Sequence, residues 1–269
     1  MSGTVSTTGI AERLTLGLRD GRKLLVPYLT AGYPDRARCA EALARLAESG
    51  ADAIELGVPF SDPLADGPVI AAASEVAIAG GTSIVDALRM GAEYAAAGAG
   101  RPPLVLFTYL NPVASLGAER AAEACGESGF GAVLVADLPF DEDRELPRAF
   151  AARGIPLVRL AAPTTPRDRL VDLAAGAEGF IYLIARTGVT GAGSGTDRRV
   201  AKQVATIRAH TDLPVVVGFG IREAGEARRV AEIADGIVVG SAFVERLGRD
   251  GPAEAVAWIR SLRDALDGS

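Results

Sequence analysis

The stretch "AIELGVPFSDPLADGPVI", residues 53–70, opens as a buried strand and then stops behaving like one. Strand side chains alternate, so Ala53, Glu55 and Gly57 share one face while Ile54, Leu56 and Val58 share the other. The bulky aliphatic set suits a layer beneath helices, which turns Glu55 toward the space that the strand helps to enclose. The segment 59–68 then carries three prolines, whose fixed φ stiffens a loop bearing Asp62 and Asp66. A strand followed by a stiff loop and an apolar helical start is one β/α unit.

The same unit recurs along the chain. Further strands are expected at "LLVPYL" (24–29), "LVLFT" (104–108), "AVLVA" (132–136), "PLVRL" (156–160), "FIYLI" (180–184), "PVVVG" (214–218) and "GIVVG" (236–240). Between them lie helical patterns such as "RARCAEALARLAESG" and "EAGEARRVAEIAD". Continuously apolar strands alternating with helices predict a parallel sheet covered on its outer face. Eight such units fit a (β/α)8 barrel. A doubly wound α/β sheet is the competing architecture, but no composition break or linker divides the chain. The expected organisation is therefore one barrel domain over residues 1–269, with 1–8 flexible. "GIAERLTLGL" reads as an extra N-terminal helix closing the barrel's bottom, and "PAEAVAWIRSLRDAL" as the last helix.

Composition bounds the function. A chain of 269 residues suits one barrel of roughly 250 residues. With 49% hydrophobic residues it has ample core, and its net charge of −6 argues against a nucleic-acid or membrane-surface partner. An anionic substrate remains open, because backbone N–H groups bind phosphate without lysine. Cys39 and Cys125 lie in helical patterns outside any CxxC, as expected of buried thiols in a reducing cytoplasm. "MSGTVSTTG" lacks the basic and apolar regions of a signal peptide, and no run approaches the roughly 18 apolar residues of a membrane span. His210 is the only histidine, which excludes His-rich metal sites and argues against a Ser-His-Asp triad. Its expected place is the surface, at a helix end. Trp258 falls at helical spacing and is expected in the core.

Glu55 at the C-terminal end of a barrel strand lies where barrel enzymes carry their chemistry. Desolvation can raise a carboxyl pKa by roughly 3–5 units, making a general acid/base usable near neutrality. Asp66, in a more polar loop, is expected to stay ionised, so the two acids divide between proton donor and charge stabiliser. The competing reading pairs Glu55 with Arg159 of the fifth strand, and reads Asp62 and Asp66 as turn residues. Tyr182 alternates onto one face of its strand with Phe180 and Ile184 and is a candidate hydroxyl donor to the same cavity, or a core tyrosine. Glycine-rich turns follow the last three strands: "RTGVTGAGSG", "GFGIRE" and "GSAFVERL". A short helix opening at Gly240-Ser241 and the close approach allowed at Gly220 predict a phosphate cradle. "GAGSG" does not read as a dinucleotide fingerprint, because no early strand–glycine–helix unit accompanies it; a lid suits it better.

Together "LVPYLTAGYP", "ELGVPFSDPLADGP", "VLVADLP", "YLIARTGVTG", "GFGI" and "GSAFV" resemble the tryptophan synthase α chain family, in its order and over nearly the whole chain. The resemblance implies a TIM barrel that cleaves indole-3-glycerol phosphate to indole and glyceraldehyde 3-phosphate by a retro-aldol reaction, with no cofactor of its own. It implies Glu55 as acid/base, Asp66 as the carboxylate at the indole nitrogen, and Tyr182 as an active-site tyrosine. Gly191, Gly220, Gly240 and Ser241 match phosphate contacts, and Arg186 and Thr190 belong to the lid after strand six. It also implies a pyridoxal-phosphate β chain as partner, in an α2β2 complex, docking at Asp62-Pro63 and Asn111-Pro112. The chain departs from the family pattern in "NPVASLG", at Ala185 and at Phe140, positions that bear on docking and the pocket rim. A stand-alone indole-3-glycerol-phosphate lyase, a non-catalytic phosphate-binding barrel and an isomerase on the same scaffold are the alternatives.

Overall fold

The structure, a computed structural model, describes residues 9–18, 21–139, 145–185 and 194–268. A helix, α1 (Ile10–Leu18), precedes β1 (Leu24–Thr30) and α2 (Arg36–Leu46). Next come β2 (Ile54–Gly57) with α3 (Pro68–Ala79) and α4 (Ile84–Ala96), then β3 (Leu104–Thr108) with α5 (Leu110–Leu116) and α6 (Ala118–Glu127). Single helices follow β4 (Phe130–Val135), β5 (Arg159–Ala161), β6 (Ile181–Ile184) and β7 (Val215–Gly218): α7 (Glu145–Ala151), α8 (Arg167–Ala175), α9 (Ser194–Arg208) and α10 (Ala224–Ile233). The strand β8 (Gly236–Val239) leads into α11 (Ser241–Asp250) and α12 (Pro252–Asp267).

All eight strands are parallel and hydrogen-bonded in the order β4-β3-β2-β1-β8-β7-β6-β5. The two ends meet: Val133 of β4 bridges Leu157, and its N–H donates to the Pro156 carbonyl at 3.0 Å while its own carbonyl accepts from Val158 at 2.8 Å. That closes the sheet into the expected (β/α)8 barrel. The fifth strand is shorter than "PLVRL" suggested. Its regular ladder to β6 begins at Arg159, because residues 156–158 are engaged in the narrow seam with β4 and Pro156 has no N–H to donate.

The period-2 pattern sorts the core into two shells. Ile54, Leu56 and Val58 join Leu25, Leu29, Leu104 and Leu106 in the layer under the helices. Leu24, Val26, Tyr28, Ala53, Val105 and Phe107 fill the barrel interior. Ile10 and Leu14 of α1 pack on that inner cluster with Leu24 and Phe180, plugging the barrel at the strands' N-terminal end. There Asp52 accepts the Leu25 N–H at 2.8 Å and pairs with Arg263 of α12 at 3.3 Å. The opposite end is left free for chemistry.

Both cysteines are buried and free. His210 is exposed beyond the end of α9, its Nδ1 at 2.9 Å from the Thr206 carbonyl. Trp258 departs from expectation: it is half-buried at the edge of the core, with the Arg246 guanidinium 4.4 Å above its ring. Packing against this charged side chain of α11, which must stay hydrated, keeps the indole at the edge of the core. Among the described residues no single helix is long and apolar enough to cross a membrane.

Candidate active site

At the strands' C-terminal ends a cavity of about 300 Å³ is lined by Tyr28, Glu55, Asp66, Tyr182, Gly220 and Gly240, among others. They come from the ends of β1, β2, β6, β7 and β8 or the loops after them, so the barrel's closure brings distant residues to one hollow. Tyr28 and Glu55 are neighbours in register on β1 and β2.

Glu55 is 1% exposed, and its Oε1 has no hydrogen-bond partner. Burial, with no charge to offset it, raises its pKa to about 8. The acid is therefore protonated at neutral pH, in a surrounding of aromatic and aliphatic side chains. The pairing with Arg159 is overturned. Arg159 shares its alternation with Leu157 and Ala161, which pack under the helices, and it lines a separate cavity of about 150 Å³ with Thr165 and Arg169. Its pKa is lowered by desolvation and feels Glu178, not Glu55.

Keeping a proton that the unfolded chain releases has a thermodynamic consequence. The Glu55 carboxyl rises from its ordinary value of 4.5 to about 8 in the folded chain. Between those limits, rising pH strips the proton from the unfolded state only, so stability falls as pH rises from about 5 to about 8. The difference amounts to about 3 kcal/mol at pH 7. Denaturant melts of Glu55→Gln should lose that slope; parallel pH dependence in the two proteins would refute the buried proton.

Asp66 differs from expectation in its surroundings. Its loop folds back over the barrel, and burial raises the carboxyl to about 6, opposed by a hydrogen bond from Tyr109. It is still mainly ionised at pH 7. Tyr109 was not picked out from the sequence, although "LVLFTY" continues the inward alternation Val105, Phe107, Tyr109. Its hydroxyl donates to Asp66 and accepts the Ala65 N–H at 3.2 Å, and its ring stacks on Phe60 with centroids 5.1 Å apart. One buried side chain thus holds both ends of the acidic loop. Tyr109→Phe keeps the stacking and removes the clamp, so the Asp66 pKa should rise above about 6. Observation of Asp66 by carboxyl NMR checks this, an unchanged value being the contrary result.

Tyr28 also escaped notice, since an aromatic in "LLVPYL" reads as core. Its hydroxyl lies directly over Gly57, where a Cβ would come within 2.1 Å of the oxygen, so only glycine fits there. Tyr182 reaches across Gly218 in the same way, a Cβ there lying 2.5 Å from its hydroxyl. Burial, Glu55 and Asp66 all push the Tyr182 phenol well above its ordinary value, which leaves it a donor.

The far end of the cavity is built of backbone. Gly240 is the N-cap of α11 and no side chain caps that helix, so its first N–H groups have no intrahelical acceptor. Ser241 opens the helix beside them. Gly220 adopts φ +68 with open space around its Cα. No lysine or arginine is among the described lining residues. An anion held there would rest on peptide dipoles.

Two faces expected to meet a partner converge on Tyr109. Asp62 is exposed and Pro63 half-buried in the loop that Tyr109 clamps, and Leu64 beside them is 87% exposed. Asn111, exposed, and Pro112 lie in the first turn of α5, whose N-cap is Tyr109. Arg186, Thr190, Gly191 and Phe140 lie outside the described residues. Ala185 is buried on the cavity wall.

The family model "Tryptophan synthase alpha chain" matches residues 16–264. A tryptophan synthase alpha chain from Synechococcus elongatus is 44% identical over 261 residues, 97% of each chain. One from Alkalilimnicola ehrlichii is 43% identical over 265 residues, 96% of each. Among solved structures, Mycobacterium tuberculosis tryptophan synthase superposes with a TM-score of 0.88 at 34% identity, covering 96% of this chain and 97% of that one. Tryptophan synthase subunit alpha from Legionella pneumophila gives 0.86 at 33% identity, covering 97% and 98%. With fold, cavity and full-length likeness in agreement, the chain belongs to the tryptophan synthase alpha chain family.

Proposed function

We propose that the chain is a lyase that cleaves indole-3-glycerol phosphate to indole and glyceraldehyde 3-phosphate. The observation that carries this reading is a protonated, unpartnered Glu55 sharing a cavity with an ionised Asp66 and an uncapped helix start. The reaction needs a proton delivered to indole C3, a proton taken from the adjacent side-chain hydroxyl, and stabilisation of positive charge on the ring nitrogen. Glu55 gives its proton to C3, which leaves the ring cationic. Its carboxylate then takes the hydroxyl proton as the C–C bond breaks, the bonding pair returns to the ring, and the hydroxyl carbon becomes the aldehyde. The acid ends as it began, so no cofactor enters the balance. Asp66 accepts the indole N–H and stabilises the cation, and Tyr182 packs against the reacting centre as a further donor.

The phosphate rests on the N–H groups at Gly240-Ser241 and on the turn at Gly220, with Gly191 completing the cradle and Arg186 and Thr190 in a lid over it. Gly220→Val places a branched side chain at positive φ in the open turn. Calorimetry should show inorganic phosphate binding at least about tenfold weaker, roughly the loss of one charge-assisted hydrogen bond; equal affinity locates the anion elsewhere.

A pyridoxal-phosphate β chain is the proposed partner, in an α2β2 complex, docking on Asp62, Pro63, Asn111 and Pro112 in the cytoplasm. Indole release by the purified chain, with and without a β chain, tests the function. Release strongly stimulated by β supports the subunit. Fast release that β leaves unchanged makes it a stand-alone lyase, and no release in either condition rejects both.

A further inference from the structure

One cavity side chain has no part in the mechanism above. Tyr28 lies between the acid end and the anion end. Its Cα pairs in register with Glu55, and its hydroxyl sits over Gly57, one inward position nearer the mouth. The root of the same side chain faces the cradle: a Cβ on Gly240 would stand 3.6 Å from both Cβ and Cδ1 of Tyr28. The ring therefore spans the gap between the two ends. Phe107 meets it edge-on at 5.3 Å and 81°, which fixes its plane.

A ligand with its ring near Glu55 and Asp66 and its phosphate at Gly240 must lay its connecting chain across this phenol. The hydroxyl is not fully engaged by protein. Among the described residues it meets Thr30 Oγ1 at 3.4 Å, a long contact within a buried pair. Burial, then Asp66, hold the phenol well above its ordinary value, so it keeps a hydrogen to donate. A buried hydroxyl with spare capacity discriminates between ligands that can answer it and ligands that cannot.

Resting on the function proposed above, we infer that Tyr28 is a substrate-contacting specificity residue. Its hydroxyl hydrogen-bonds a hydroxyl of the three-carbon linker and selects aryl-glycerol phosphates over aryl-alkyl phosphates with a bare chain.

The test is a cycle of two ligands and two proteins, run in a Glu55→Gln background so that substrate is bound without being consumed. The ligands are indole-3-glycerol phosphate and an indole alkyl phosphate whose three-carbon chain carries no hydroxyl. Adding Tyr28→Phe should weaken the first about tenfold, the share of one hydrogen bond, and leave the second unchanged. The hydroxyl-free ligand doubles as a check that the cavity is intact. Equal loss for both ligands, or none for either, overturns the assignment, since a merely structural hydroxyl cannot tell the two apart. If the parent Glu55→Gln chain binds neither ligand and wild type releases no indole, the functional reading fails and Tyr28's role with it.

Discussion

Glu55→Gln should release indole at least about 10³-fold more slowly than wild type while binding indole-3-glycerol phosphate with nearly unchanged affinity. The amide matches the shape and neutrality of the protonated acid, so the cavity and its anion end survive the change. What it lacks is a transferable proton and a carboxylate to collect one afterwards. Both steps of the reaction fall on this one side chain, which is why the expected loss exceeds that of a single acid or base. A stopped indole assay beside calorimetric binding separates chemistry from affinity. Turnover within about tenfold of wild type would mean that another group moves the proton.

Asp66→Asn should have the next largest effect, about 10²–10³-fold on turnover. The substitution keeps an oxygen to receive the indole N–H but removes the negative charge from a site where burial makes charge effective. Tyr109 would still hold the loop, so the loss reads electrostatics and not disorder. The pH profile separates the two acids. Asp66 must be ionised and Glu55 protonated, so kcat/KM should be bell-shaped, falling below about 6 and above about 8. In Asp66→Asn the acidic limb should vanish while the basic limb stays. An acidic limb that persists assigns it to a different group.

The barrel was legible because its signal is repeated. Eight short apolar runs, each followed by a helical pattern, leave few architectures, and the alternation in "AIELG" sets the orientation of Glu55 without further information. A charged residue in an apolar strand stands out. Tyr28 and Tyr109 do not, because a phenol within "LLVPYL" or after "LVLFT" matches the core pattern whether or not its hydroxyl has work to do. Asp66 was read as lying in polar surroundings because prolines and acids usually mark solvated loops. The stacking of Phe60 on Tyr109, with the Tyr109 hydroxyl bound to Ala65 and Asp66, draws that loop inward. Arg159 looked like a partner for Glu55 because strand number says nothing of which shell a side chain enters. Its neighbours Leu157 and Ala161 put it outside the sheet. The shortening of β5 came from the seam with β4, a long-range contact that no local pattern encodes.

The proton on Glu55 can be observed directly, by isotope-edited infrared or carbon NMR titration of the carboxyl, using Glu55→Gln to assign the signal. A midpoint near 8 is expected. A midpoint near 4.5, the value of a solvated glutamic acid, would contradict the account at its root.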